Sequence, residues 1–106
     1  MTTPVLAPVF AALGDETRWR ILVRIGRSPA SASALAGELP VSRQAIVKHL
    51  EVLRAAGLVE VHRHGREVRD QPIGARLTAV ARDLERIASG WDRRLAQLKA
   101  LAEAGE

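Results

Sequence analysis

Between residues 41 and 59 the chain reads VSRQAIVKHLEVLRAAGLV, and a helix through that stretch gathers Arg43, Gln44, Val47, Lys48 and Glu51 on one side. Two of these side chains carry paired hydrogen-bonding groups of fixed geometry, two donors on Arg43 and a donor with an acceptor on Gln44. An arginine fork matches the O6 and N7 acceptors of guanine, and a glutamine amide matches the N6 and N7 edge of adenine. Lys48 can meet a phosphate or a guanine, and Val47 can touch a thymine methyl. Ser42, just ahead, suits the N-cap, where free backbone amides also attract an anion. A helix bathed in water would carry the same mixture, so the elements around it must decide.

A second group of donors follows at once. Leu58 to Arg63 alternates apolar and polar residues and predicts a strand, with a turn at His64-Gly65 and a returning strand from Arg66 to Gln71, closed by Pro72. This hairpin carries Arg63, His64, Arg66 and Arg69, against which Glu60, Glu67 and Asp70 subtract. Arg63, His64 and Arg66 are candidate contacts to a nucleic-acid backbone or minor groove. A solvated hairpin tip is the plainer alternative.

Upstream, apolar spacing predicts three more helices. Val5, Val9, Phe10 and Leu13 follow Pro4 at helical intervals, and Gly14 can close that helix. Asp15 caps the next, with Trp19, Leu22, Val23 and Ile25 as its inward face before Gly26 and Ser28-Pro29 interrupt it. Ser31 caps a short helix over ASALAGEL, with Leu35 and Leu39 inward and Pro40 as its stop. Ser42 caps the helix from Arg43 to Ala56, whose inward face is Ile46, Leu50 and Leu53, and Gly57 ends it. A short helix, a tight turn, a capped second helix and a basic hairpin form the arrangement that lays the second helix in a major groove. The expected fold is therefore α+β, mostly α: a winged helix-turn-helix with five helices and a two-stranded wing.

The fifth helix runs from about Leu77 to Ala104. Leu77, Val80, Leu84, Ile87, Trp91, Leu95, Leu98 and Leu101 are separated by three, four, three, four, four, three and three residues, close to a seven-residue seam. A helix of that length, about 40 Å at 1.5 Å per residue, exceeds what so small a domain can cover, so part of the stripe is expected to meet a second chain.

Composition sets the outer bounds. The 106 residues suffice for one domain, 1–106, and 47% hydrophobic with 26% charged residues is ordinary for a folded chain. A net charge of +4 permits an anionic partner without demanding one. There is no cysteine, no basic segment ahead of the first apolar residues and no apolar run of bilayer length, so the expectation is a cytoplasmic protein in a reducing compartment without a membrane partner. With neither cysteine nor tyrosine, and no Gly-rich phosphate cradle, nothing argues for an enzyme.

The run LPVSRQAIVKHLEVLRAAGLVEVHRHGRE, preceded by VFAALGDETRWRIL, resembles the winged-helix repressors of the ArsR/SmtB family over nearly the whole chain. GWDRRLAQLKALAE further resembles the metal-independent, SdpR-like branch. The resemblance implies a homodimeric repressor of transcription that binds double-stranded DNA through the helix 43–56 and dimerises through its first and last helices. Ser42, Arg43, Gln44, Val47, Lys48, Arg63, His64 and Arg66 are then the DNA-binding candidates. Val5, Val9, Leu84, Ile87, Trp91, Leu95 and Leu98 are the candidates for the dimer interface.

Three departures qualify it. Where the family's metal sensors have Cys-x-Cys, this chain has Ala34, Leu35, Ala36 and Gly37, and no histidine follows Leu77, leaving Asp83, Glu85 and Asp92 isolated. Val47 replaces the usual hydroxyl residue at the DNA surface, and Asp70 stands where many relatives have an aromatic residue. Three other functions are weighed: His62 and His64 as a metal pair, which lacks further ligands; Trp19 with Trp91 as a small-molecule effector pocket at the dimer interface; and a winged helix that binds protein rather than DNA. No cofactor or metal is expected, and an effector stays open.

Overall fold

The computed structural model describes residues 6–105. Five helices and one hairpin follow each other as α1 (Leu6–Leu13), α2 (Glu16–Arg27), α3 (Ala32–Glu38), α4 (Arg43–Ala55), β1 (Val59–His64), β2 (Glu67–Pro72) and α5 (Gly74–Ala104). This is the mostly helical winged helix-turn-helix expected from the sequence.

Each of the three middle helices begins at a short acceptor side chain. Asp15 Oδ1 accepts from the Arg18 amide at 3.0 Å, Ser31 Oγ from Ala34 at 3.1 Å and Ser42 Oγ from Ala45 at 3.2 Å. The end of α4 is equally defined. Gly57, at φ 76°, donates to Arg54 O at 2.9 Å while Leu58 donates to Leu53 O at 3.1 Å, the paired bonds of a Schellman ending. That turn delivers Leu58 and Val59 into the core and aims the hairpin away from it.

The core collects Ile21, Leu22 and Ile25 from α2, Leu35 from α3, Ile46, Leu50 and Leu53 from α4, and Leu58 and Val59 at the root of β1. On α4 this is the inward face read from the sequence. On α2 it is not: Trp19 and Val23 are half exposed, and Ile21 is buried in their place. The reason lies one turn earlier, where Arg18 turns inward and donates from Nε to Ala12 O at 2.7 Å, tying α2 to the end of α1. With Arg18 on the inner arc, residues 21, 22 and 25 follow it and 19 and 23 rotate outward.

The hairpin pairs Val59 with Pro72 through to His64 with Glu67. Its two-residue loop is therefore Gly65-Arg66, one position later than expected, with Gly65 at φ 64° and no positive φ at Arg66. Asp70 also bonds both ways with Ala30, at 2.9 and 3.2 Å, so the segment before α3 edges the sheet.

Only the start of α5 joins the body, through Val80 and the partly buried Leu77. From Leu84 onward the stripe lies open, with Leu84 41% exposed and Leu101 71%. On α1 the expectation for Val9 is revised: it is buried in this chain's own core, and Phe10 is the apolar residue facing outward. Val5 lies outside the described residues.

Candidate nucleic-acid interface

The polar arc of α4 is open to solvent as its residue types demand. Gln44, Lys48 and Glu51 are exposed, and Val47 is half covered. Ser42 occupies the N-cap, which fixes the first turn and the direction in which Arg43 and Gln44 leave it. Arg43 is also held from outside the helix, since its Nε donates to Ser33 Oγ at 3.0 Å. The first helix of the helix-turn-helix thus orients a first-turn donor of the second.

Between α4 and the wing lies an open cleft of about 490 Å³. Arg43 and Val47 form one wall, Arg66 and Val68 the other, and Arg54 and Asp70 contribute to its lining. The one-residue shift of the hairpin turn matters here. It places Arg66 in the loop itself rather than on the returning strand, at the tip end of the cleft it lines.

Strand alternation then sorts the remaining wing candidates. Arg63 shares a face with Val61, Val68 and the buried Asp70, which is the side turned to the body. His64 belongs to the opposite face, with His62, Arg69, Glu67 and Glu60. The structure therefore brings Arg43, Val47 and Arg66 around one cleft and places His64 on the other face of the sheet. On that outer face Arg69 donates to Glu67 at 2.9 and 3.0 Å, and His62 Nε2 lies 3.1 Å from Glu60. The Arg69 guanidinium holds the Glu67 carboxyl below its usual range, and His62 followed by Gln71 does the same for Glu60. These carboxylates stay charged and temper the basic hairpin.

One pairing escapes the reading of the sequence, which notes Asp70 but not Arg54. Arg54, in the last turn of α4, donates through Nε and a terminal nitrogen to the two oxygens of Asp70, at 2.8 and 3.0 Å. Asp70 is 1% exposed. An arginine late in a helix and an acid within a strand were each visible, but nothing local signals that they meet 16 residues apart. Trp19 and Trp91 do not come together within the chain: Trp19 lines a separate groove of about 410 Å³ with Val23, Arg27 and Leu39. Among the described residues, no three of His, Asp or Glu converge as a metal would require, and no helix is long and apolar enough to cross a membrane.

Comparison with known proteins places this geometry. A helix-turn-helix domain family matches residues 13–62, which run from the end of α1 into β1. An ArsR-like transcriptional regulator from Rhodococcus sp. RHA1 superposes with a TM-score of 0.85 at 61% identity, covering 92% of each chain. The HTH-type transcriptional regulator Rv2034 of Mycobacterium tuberculosis is 38% identical over 79% of this chain and 76% of its own length. The cadmium metal-sensor CmtR of Mycobacterium tuberculosis is similar over a shorter span, with a TM-score of 0.58 and 38% identity over 64% of this chain and 70% of that one.

Proposed function

Because the chain belongs to the ArsR/SmtB family of helix-turn-helix transcriptional regulators, we propose that it acts as a homodimeric repressor on an inverted-repeat operator, with α4 in the major groove and the wing on the flanking backbone. The observation that carries this reading is the shared cleft. It sets the base-reading donors of the first turn of α4 against a guanidinium at the wing tip, with the exposed arc of Gln44 and Lys48 beside it. In this reading Arg43 and Gln44 meet base edges, Val47 meets a thymine methyl, and Lys48, Ser42, Arg63 and Arg66 meet phosphates or the minor groove. His64, on the outer face, is left at most a peripheral phosphate contact.

Support for a second copy comes from the open stripe of α5 together with Phe10, an apolar surface that the chain itself leaves uncovered. Two copies would hold their α4 helices about 34 Å apart, the spacing of successive major grooves. We read the protein as metal-independent, because the chain contains no cysteine to supply thiolates.

The test is duplex binding to the DNA upstream of its own gene across a salt series. If the three cationic contacts of each protomer, Lys48, Arg63 and Arg66, meet phosphates, the logarithm of affinity should fall with the logarithm of salt at a slope of about −5 for a dimer, at about 0.9 per neutralised phosphate. A flat response would favour the protein-interaction reading instead.

A further inference from the structure

We propose that Asp70 is a positioning residue, clamping the wing to the recognition helix so that Arg66 and Arg43 face the DNA as one rigid surface. The inference rests on the DNA-binding reading above and adds a residue that touches no DNA.

Asp70 is tied to the body at two levels. Its main chain exchanges hydrogen bonds with Ala30, just ahead of α3, at 2.9 and 3.2 Å. Its carboxylate receives both arms of Arg54 from the last turn of α4, at 2.8 and 3.0 Å. One buried residue of β2 therefore holds α3's approach and the end of α4 together. A bidentate arginine–carboxylate pair fixes angle as well as distance, which a single hydrogen bond does not.

The lever beyond the clamp is long. From Asp70 to Arg66 is four residues of strand, about 13 Å at 3.3 Å per residue, so a tilt of about 10° at the root displaces the tip by about 2 Å. That is enough to lose a charged hydrogen bond to a phosphate, whose favourable range is narrow. Of the outer ion pairs of the hairpin, Glu60 with His62 lies within the hairpin, while Glu67, paired with Arg69, also reaches the Ser31 hydroxyl ahead of α3 but makes no bond to α4.

The experiment is a double-mutant cycle read as salt slope rather than as affinity alone. In the native dimer, Arg66→Ala should flatten the slope by about 2, one phosphate from each wing at about 0.9 apiece. In an Asp70→Asn background, which keeps shape but removes the charge that holds Arg54, the slope should already be flatter by that amount. Adding Arg66→Ala should then change it by less than about 0.5. Discrimination between operator and random DNA, set by α4, should be retained in all of these variants. Arg54→Lys, which keeps the cation but cannot make the bidentate pair, should reproduce Asp70→Asn and serves in its place if that variant does not fold; circular dichroism reports folding for each.

Equal flattening by Arg66→Ala with and without the clamp would overturn the role of Asp70 while leaving DNA binding intact. Native protein that binds duplex without salt dependence would instead remove the reading on which the clamp rests.

Discussion

Arg43 and Arg66 line one cleft and Gln44 lies on the exposed arc beside it; the roles proposed for them rest on different chemistry, and the difference is measurable. A glutamine amide that pairs with an adenine edge discriminates among bases, at about 1–3 kcal/mol for each good bidentate contact. Gln44→Ala should therefore weaken operator binding about 10-fold or more and leave random DNA nearly untouched, as competition titration would show. Arg66, in the wing loop, is proposed as a backbone or minor-groove contact, so Arg66→Ala should weaken both DNAs alike; a loss confined to the operator would make it a base reader. The residue types on α4 were legible because an exposed arc of a capped helix needs only periodicity to locate it. The neighbours that steady them were not. Ser33 against Arg43 and Arg54 against Asp70 are long-range pairings, and one-dimensional spacing carries no sign of either.

At the scale of elements, caps and turns were the most readable features, and the two errors of placement have physical causes. In a two-residue loop Gly65 satisfies the positive φ at either central position, so the turn could be misplaced by one residue until the pairing of His64 with Glu67 fixed it. On α2 the apolar Trp19 and Val23 imitate an inward arc, and only the tertiary bond from Arg18 to Ala12 shows which way the helix is turned. Gly57 is the element ending that tolerates least. A Cβ there would sit 2.7 Å from the Arg76 guanidinium, at a φ of 76° that L-residues avoid. Gly57→Ala should cost about 1–2 kcal/mol, the penalty for the left-handed region, seen as a lower midpoint in denaturant. Acid should loosen the same elements. Asp15 is held below 3.8 chiefly by the Arg18 amide, and Glu38 below 4.5 by the Arg24 guanidinium. A depressed carboxyl contributes stability that is complete above its ordinary pKa and is lost as pH falls through the depressed value. Thermal stability should hold from pH 7 to about 5 and decline below about 4, whereas Asp15→Asn, which can still cap, should flatten part of that decline.

For the molecule as a whole, the question is what covers α5. Its 31 residues span about 46 Å at 1.5 Å per residue, and the exposure of its apolar stripe increases from Leu84 to Leu101. The open part of the stripe is close to symmetric about residue 89: Ile87 and Trp91 lie equally far from it, and Leu84 has Leu95 one position off its mirror point. A stripe that reads alike from both ends suits a copy of itself running the other way, as a two-fold axis requires. Small residues beside the midpoint, Ala88 and Gly90, leave room for close approach, and a Cβ at Gly90 would meet nothing within the chain. Leu98→Glu then places a charge in each of two equivalent contacts of such a pairing, on a residue 63% exposed in its own chain, without touching that chain's core. Sedimentation equilibrium at micromolar concentration should show monomers, with circular dichroism still reporting a helical fold. Operator affinity should fall more steeply than affinity for a half-site, because the gain from binding two half-sites at once disappears with the second wing and second α4. An Leu98→Glu protein that sediments as the native one does, and binds the full operator as tightly, would take the outer turns of α5 out of the interface.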